Sequence, residues 1–339
     1  TANFGQLFVA RAVVGAGEAG YGSAGAALIA TLYPKRLRSA VLGAFLAAGS
    51  LGSVLGVVLG GVIAAHWGWK AAFGVVGVPG LVLAVLYLFV RDYKTAALTP
   101  KQGQVAQSLG GTLKHIFGTM ARARTLLWVC VGGALQLITL SAVWAWLPSY
   151  LNRFHSMTPE AAGKQTAVVI LAGAFGCVFW GFVVDRLALR KPRNKLPLLS
   201  VLCVLTSVIF MVAFGGTYTG DAQFTLIVLG GFFLTCTPGV GAGIVIDVVH
   251  PGVRSTGAAV LTLFQNLFGL AVGPFLAGVL SDQWGLRQAL AVTSLFSTLA
   301  AVVYVIAMCS YDADVAQISD VKLDVAPPLT GNLSASTAV

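Results

Sequence analysis

An arginine and a glutamate, Arg11 and Glu18, stand seven residues apart in "RAVVGAGEAGYG", inside a stretch that is otherwise apolar and glycine-rich. On a helix this spacing is about two turns, which puts both charges on one face roughly 10 Å apart. Across a bilayer each charge costs about 3 kcal/mol or more at mid-membrane, so the pair is expected to face a cavity or a partner. Arg11 then suits an anionic headgroup. Its charge favours the ionised form of Glu18, and burial in lipid opposes it. A carboxylate held between those influences is placed to take up and release protons. The plainer alternative has Arg11 snorkelling to the interface and Glu18 protonated as a packing residue. The same letters satisfy G-x-G-x-x-G over Gly15–Gly20, but no strand precedes them. About twenty residues on, Leu37 and Arg38 stand where a ribose-binding acid would be. The glycines therefore read as a thin helix face that permits close contact.

The elements that must position this pair are membrane helices. The 339 residues are 57% hydrophobic and 9% charged, with a mean hydropathy of +0.87, far from the roughly 25% charge of soluble domains. Nine spans are expected, over 4–31, 39–65, 71–90, 125–150, 166–184, 197–215, 223–248, 255–280 and 288–309. The net charge of +10 does not point to nucleic acid, because the charges sit in loops between apolar runs. Fifteen Lys and Arg residues fall in one set of connections and four in the other, so the first set and the C-terminus are expected in the cytoplasm. Cys130, Cys177, Cys203, Cys236 and Cys309 all lie in apolar runs and are expected to pack as small apolar residues. Neither a metal site nor a Walker sequence is present, so no cofactor or nucleotide is expected. A membrane-embedded enzyme would need clustered His, Asp or Cys, and the few present are scattered.

An internal repeat sets the architecture. Gly52, Gly56, Gly61, Trp67, Gly68 and Lys70 align without gaps onto Gly269, Gly273, Gly278, Trp284, Gly285 and Arg287. Spans one to three thus correspond to spans seven to nine, and spans four to six lack counterparts. Two parallel six-span halves would then require three more spans before Thr1, giving nine of twelve. The expected division is 1–90 as the second half of an N-terminal bundle and 91–124 as a cytoplasmic linker with an amphipathic helix. The C-terminal bundle follows over 125–309, with a disordered cytoplasmic tail over 310–339.

Further candidates follow from position. Tyr21 lies beside Glu18. Gln136 and Trp144 share one span, where they can line a lipid-like path, an aromatic belt at the interface being the alternative. Gln265 and Asn266 can contact a solute or bond helix to helix. Arg38, Asp247 and Arg254 stand at the cytoplasmic ends of spans and are gate candidates beside a plain solvated reading. The loop "GFVVDRLALRK" offers Gly181, Asp185, Arg186 and Arg190. Gly181 lets two helices approach, and Asp185 can pair with an arginine or cap a neighbouring helix.

This G-x-x-x-D-R-x-x-R-K loop resembles the cytoplasmic signature of the major facilitator superfamily, found in that family between spans two and three and again between eight and nine. Taking Gly181–Lys191 as the second copy makes the first span here number four, as the repeat requires. "RAVVGAGEAGYG" is similar to the fourth span of the Spinster-like branch, whose members are linked to lysophospholipid and sphingolipid export. The organic anion symporters carry a related segment and stand as the alternative. The resemblance implies an all-α helical bundle in a membrane, a bacterial inner membrane being expected. It also implies a secondary transporter of a small or lipid-like solute, proton-coupled and working by alternating access. A non-transporting remnant is the competing expectation for a chain short of three spans.

Overall fold

The computed structural model describes residues 3–89, 123–218 and 220–319. Residues 90–122, with the expected amphipathic helix of the linker, and the last twenty residues lie outside the described residues.

The first unit is α1 (Phe4–Leu32), α2 (Arg38–Trp67) and α3 (Trp69–Tyr87). The second is α4 (Arg124–His155), α5 (Pro159–Leu187), α6 (Lys195–Gly215), α7 (Gly220–Leu234), α8 (Thr237–Val248), α9 (Arg254–Phe264), α10 (Val272–Trp284), α11 (Leu286–Thr293) and α12 (Leu295–Ser319). Among the described residues seven helical runs are long and apolar enough to cross a membrane, and Tyr21–Leu32 and Gly77–Tyr87 are shorter apolar helices.

The W-G-x-[KR] turn of the repeat has the same shape twice. Gly68 (φ 80°, ψ 159°) and Gly285 (φ 84°, ψ 153°) each precede a helix with a positive φ, which a Cβ would oppose. In the second copy Arg287 crosses this turn and donates to the carbonyls of Phe214, at 2.8 Å, and Gly216, closing the end of α6.

Three expected spans are interrupted. The 223–248 span breaks between α7 and α8, and the 288–309 span between α11 and α12. The 255–280 span carries a π-helical segment, Gln265–Leu270, between α9 and α10. The last helix also runs on to Ser319, which corrects the start of the expected tail. Its polar residues find partners: Asp314 accepts from the Thr125 N–H at 2.7 Å, and Asp312 pairs with Arg193 at 2.8 Å. Cys309 is exposed, against expectation, because its flank of α12 faces outward; the other four cysteines are buried.

Candidate functional site

The first unit meets the second at the end of the bundle that carries the basic turns. There the first turn of α2 inserts between α5 and α8. Gly181 makes the approach close enough: a Cβ on it would lie 2.7 Å from the Ser39 carbonyl oxygen. Gly239 of α8 meets Gly43 and Ser39 in the same way, also at 2.7 Å.

Charged side chains fill this junction. Asp185, in the last turn of α5, accepts at Oδ2 from the Ser39 N–H at 2.7 Å and the Ala40 N–H at 3.2 Å, capping α2. A carboxylate there also answers the positive end of the helix dipole. Arg38 Nη1 lies 2.6 Å from Asp247 Oδ1, and its Nη2 donates to the Ala30 carbonyl at 3.1 Å. Lys195 Nζ lies 3.2 Å from both Asp185 Oδ1 and Asp247 Oδ2. The four charged side chains are at most 7% exposed.

Four of the expected gate residues, Arg38, Gly181, Asp185 and Asp247, thus come together. Lys195, which the sequence shows only as one more charge in a basic loop, is the bridge between the carboxylates. Asp185 pairs with this lysine and not with an arginine, because α6 begins beside α8. Arg254 is half-buried nearby with Nε unpartnered among the described residues. Arg186 sits 5.9 Å from the Phe182 ring centroid and, like Arg190, is exposed and apart from the cluster. His250, in the turn before α9, accepts at Nδ1 from the Gly252 N–H at 3.1 Å. Burial, and then the charge of Arg254, hold its pKa below the ordinary 6.5.

A second layer lies halfway along α4. Pro238 has no N–H to give the Leu234 carbonyl four residues back, so α7 ends there. Gln136 Nε2 supplies the donor at 3.0 Å. At the α11–α12 break the Ser297 N–H turns to the Ser294 carbonyl, and Thr139 Oγ1 donates to the freed Thr293 carbonyl at 3.0 Å. In the π segment the i+5 partner of Gly269 is Pro274, which again lacks an N–H. Ser141 Oγ lies 3.2 Å from the Gly269 carbonyl. Three polar residues within two turns of one helix therefore serve the discontinuities of three others. Their positions fit the rule that backbone carbonyls in a membrane need partners inside the protein.

This gives Gln136 a partner in the fold: it is 1% exposed and its amide N–H is engaged. Trp144 is half-buried with its Nε1 unpartnered among the described residues. Gln265 is half-buried across from Gly133, and Asn266 beside it is exposed at mid-span. Tyr21 is exposed, its ring 5.2 Å from that of Phe45. The helix α1 carries Arg11 and Glu18, but their side chains lie outside the described residues.

The described residues form a helical bundle with a buried charge cluster at one end, and seven of its helical runs are long and apolar enough to cross a membrane. The family model described as Major Facilitator Superfamily matches residues 1–267, and the chain belongs to that family. Among its relatives are an "MFS-type efflux pump" of Mycolicibacterium smegmatis, 29% identical, with 82% of this chain and 63% of that protein covered. The sphingosine-1-phosphate transporter SPNS2 of Danio rerio is 28% identical, with 90% and 62% covered. The chain thus spans somewhat over 60% of the length of these curated relatives. Among solved structures it resembles a bacterial homologue of the lysosomal transporter Spinster, at TM-score 0.56 and 21% identity, with 82% and 66% covered. It also resembles the Escherichia coli fucose:proton symporter, at TM-score 0.67 and 14% identity, with 85% and 73% covered. These relatives are transporters and not enzymes, and the Spinster-like resemblance read from the sequence stands.

Proposed function

We propose that this chain is the larger part of a secondary transporter, corresponding to spans four to twelve of twelve, that moves an amphipathic anionic solute by alternating access. The observation that carries this reading is the Arg38–Asp247–Lys195–Asp185 cluster. It ties the two units together at the end with the basic turns, which the excess of Lys and Arg assigns to the cytoplasm. Leaving one member of a buried ion pair without its partner costs about 3–5 kcal/mol; in this reading the cluster is a lock made in one state of the cycle and released in the other. Residues 1–90 and 125–309 serve as the moving units, in a bacterial inner membrane with the C-terminus in the cytoplasm.

Trp144, Gln265 and Asn266 line the solute path in this reading, since an exposed amide at mid-span belongs against water or solute and not lipid. Gln136 acts on the path through the helix it braces. Arg11 receives the anionic group, and Glu18 takes up and releases the coupled proton. The sphingosine-1-phosphate transporter among the relatives supports a lipid-like solute. The hexuronate transporter of Bacillus subtilis, 24% identical, supports a compact organic anion as the second reading.

The test uses the protein encoded by the complete gene, in proteoliposomes with an imposed pH gradient. Uptake or release of a lysophospholipid or sphingoid phosphate, set against a hexuronate, separates the two solute readings. Glu18→Gln is expected to abolish the response to the gradient. Transport that keeps its pH dependence in this variant removes Glu18 from coupling, and no movement of either solute class favours the remnant.

A further inference from the structure

A cavity of about 950 Å³ opens between the start of α4 and the last turns of α12, lined by none of the four charged residues of the lock. Its lining is graded. Arg124, Ser310, Asp314 and Gln317 stand at the end with the basic turns, and Trp128 and Ile306 lie one to two turns deeper. Ile306 is 41% exposed on the outward flank of α12, so the deep end opens toward the apolar surroundings. Asp314 is 5% exposed. Its Oδ2 caps α4 through the Thr125 N–H, and Oδ1 has no hydrogen bond among the described residues. Arg124 is exposed and takes part in none of the ion pairs among the described residues.

We propose that this cavity binds the headgroup of a zwitterionic phospholipid from the adjoining leaflet, with the phosphate at Arg124 and the ammonium at Asp314. A guanidinium matches a phosphate with two parallel donors. A buried carboxylate in the same wall repels a headgroup whose only charge is negative, and it attracts an ammonium. The indole of Trp128 lines the same cavity, and an indole suits both a cation and the interfacial region of a membrane. The volume is in the range of small-molecule sites, and the Ile306 side leaves room for the first acyl carbons. The grading from charge to apolar surface is what a lipid presents along its length and what a soluble headgroup lacks.

The experiment is native mass spectrometry of the protein encoded by the complete gene. It is released from nanodiscs of equal phosphatidylethanolamine and phosphatidylglycerol, with glycerophosphoethanolamine as a soluble competitor. The wild type is expected to keep phosphatidylethanolamine over phosphatidylglycerol by about tenfold, the effect of one favourable charge contact. Asp314→Asn still offers an oxygen to Thr125 and is expected to erase that preference. Arg124→Gln, at an exposed position that leaves folding intact, is expected to weaken both lipids. Equal retention of the two lipids by the wild type overturns the proposal, as does an unchanged preference in Asp314→Asn. Displacement of the lipid by an equimolar amount of the soluble headgroup overturns its assignment to the membrane.

Discussion

Arg38 and Asp247, 209 residues apart in the chain, meet with 2.6 Å between a guanidinium nitrogen and a carboxylate oxygen. The contact joins the start of α2 to the end of α8, one helix from each unit. Asp247→Asn leaves Arg38 and Lys195 with one buried carboxylate between them. A cysteine introduced at Ala27, buried in α1 and three residues before Ala30, whose carbonyl accepts from Arg38, is expected to react with a water-soluble maleimide about tenfold faster in this variant. That is a modest fraction of the 3–5 kcal/mol that a broken buried pair costs. The exchange Arg38→Asp with Asp247→Arg is expected to recover part of the protection. Equal labelling in all forms denies the cluster its role as a lock.

The bond from Gln136 to the Leu234 carbonyl permits a test by compensation. Gln136→Leu leaves that carbonyl without a donor and is expected to destabilise the protein by about 1–3 kcal/mol. Pro238→Ala returns an N–H at the position where an unbroken helix would bond Leu234. Combined with Gln136→Leu it is expected to restore much of the loss in thermal melting temperature, although alone it brings little. A double variant no more stable than Gln136→Leu shows that Gln136 stabilises by packing and not by this bond.

His250 gives a pH dependence with a definite sign. Its pKa in the fold lies below the ordinary 6.5, through burial first and Arg254 second. Between the two values the unfolded chain therefore binds more protons than the native one, and stability rises with pH. The favourable contribution is complete above about pH 6.5 and falls away as acidification proceeds toward the lowered value. Protonated Nδ1 cannot accept from the Gly252 N–H, so the turn before α9 loosens in the same range. His250→Gln is expected to flatten this part of the melting-temperature profile between pH 8 and pH 5. A profile as steep as that of the wild type assigns the dependence to other groups.

The spans, the repeat and the cap formed by Asp185 were legible in the sequence because each rests on local pattern. Apolar run length, glycine register and an acid at a helix end all survive without tertiary knowledge. Lys195 was not legible: a lysine in "RKPRNK" reads as topology until α6 is seen to begin beside Asp247. Two of the three interruptions had a visible sign in Pro238 and Pro274, which an apolar run passes over, and the break between α11 and α12 had none. The tasks of Gln136, Thr139 and Ser141 had none, since each is defined by a carbonyl on another helix.

The layer along α4 has a bearing on how the protein comes to exist. α7, the π-helical segment after α9, and α11 each carry a carbonyl that lipid cannot satisfy, so each would sit poorly in a bilayer by itself. The helix holding their donors is made first, ahead of all three on the growing chain. As each later span enters the membrane, a partner for its weakest point is already there. The order of residues along the chain is thus also an order of assembly, and a lesion in α4 should surface as failed insertion of helices made long after it.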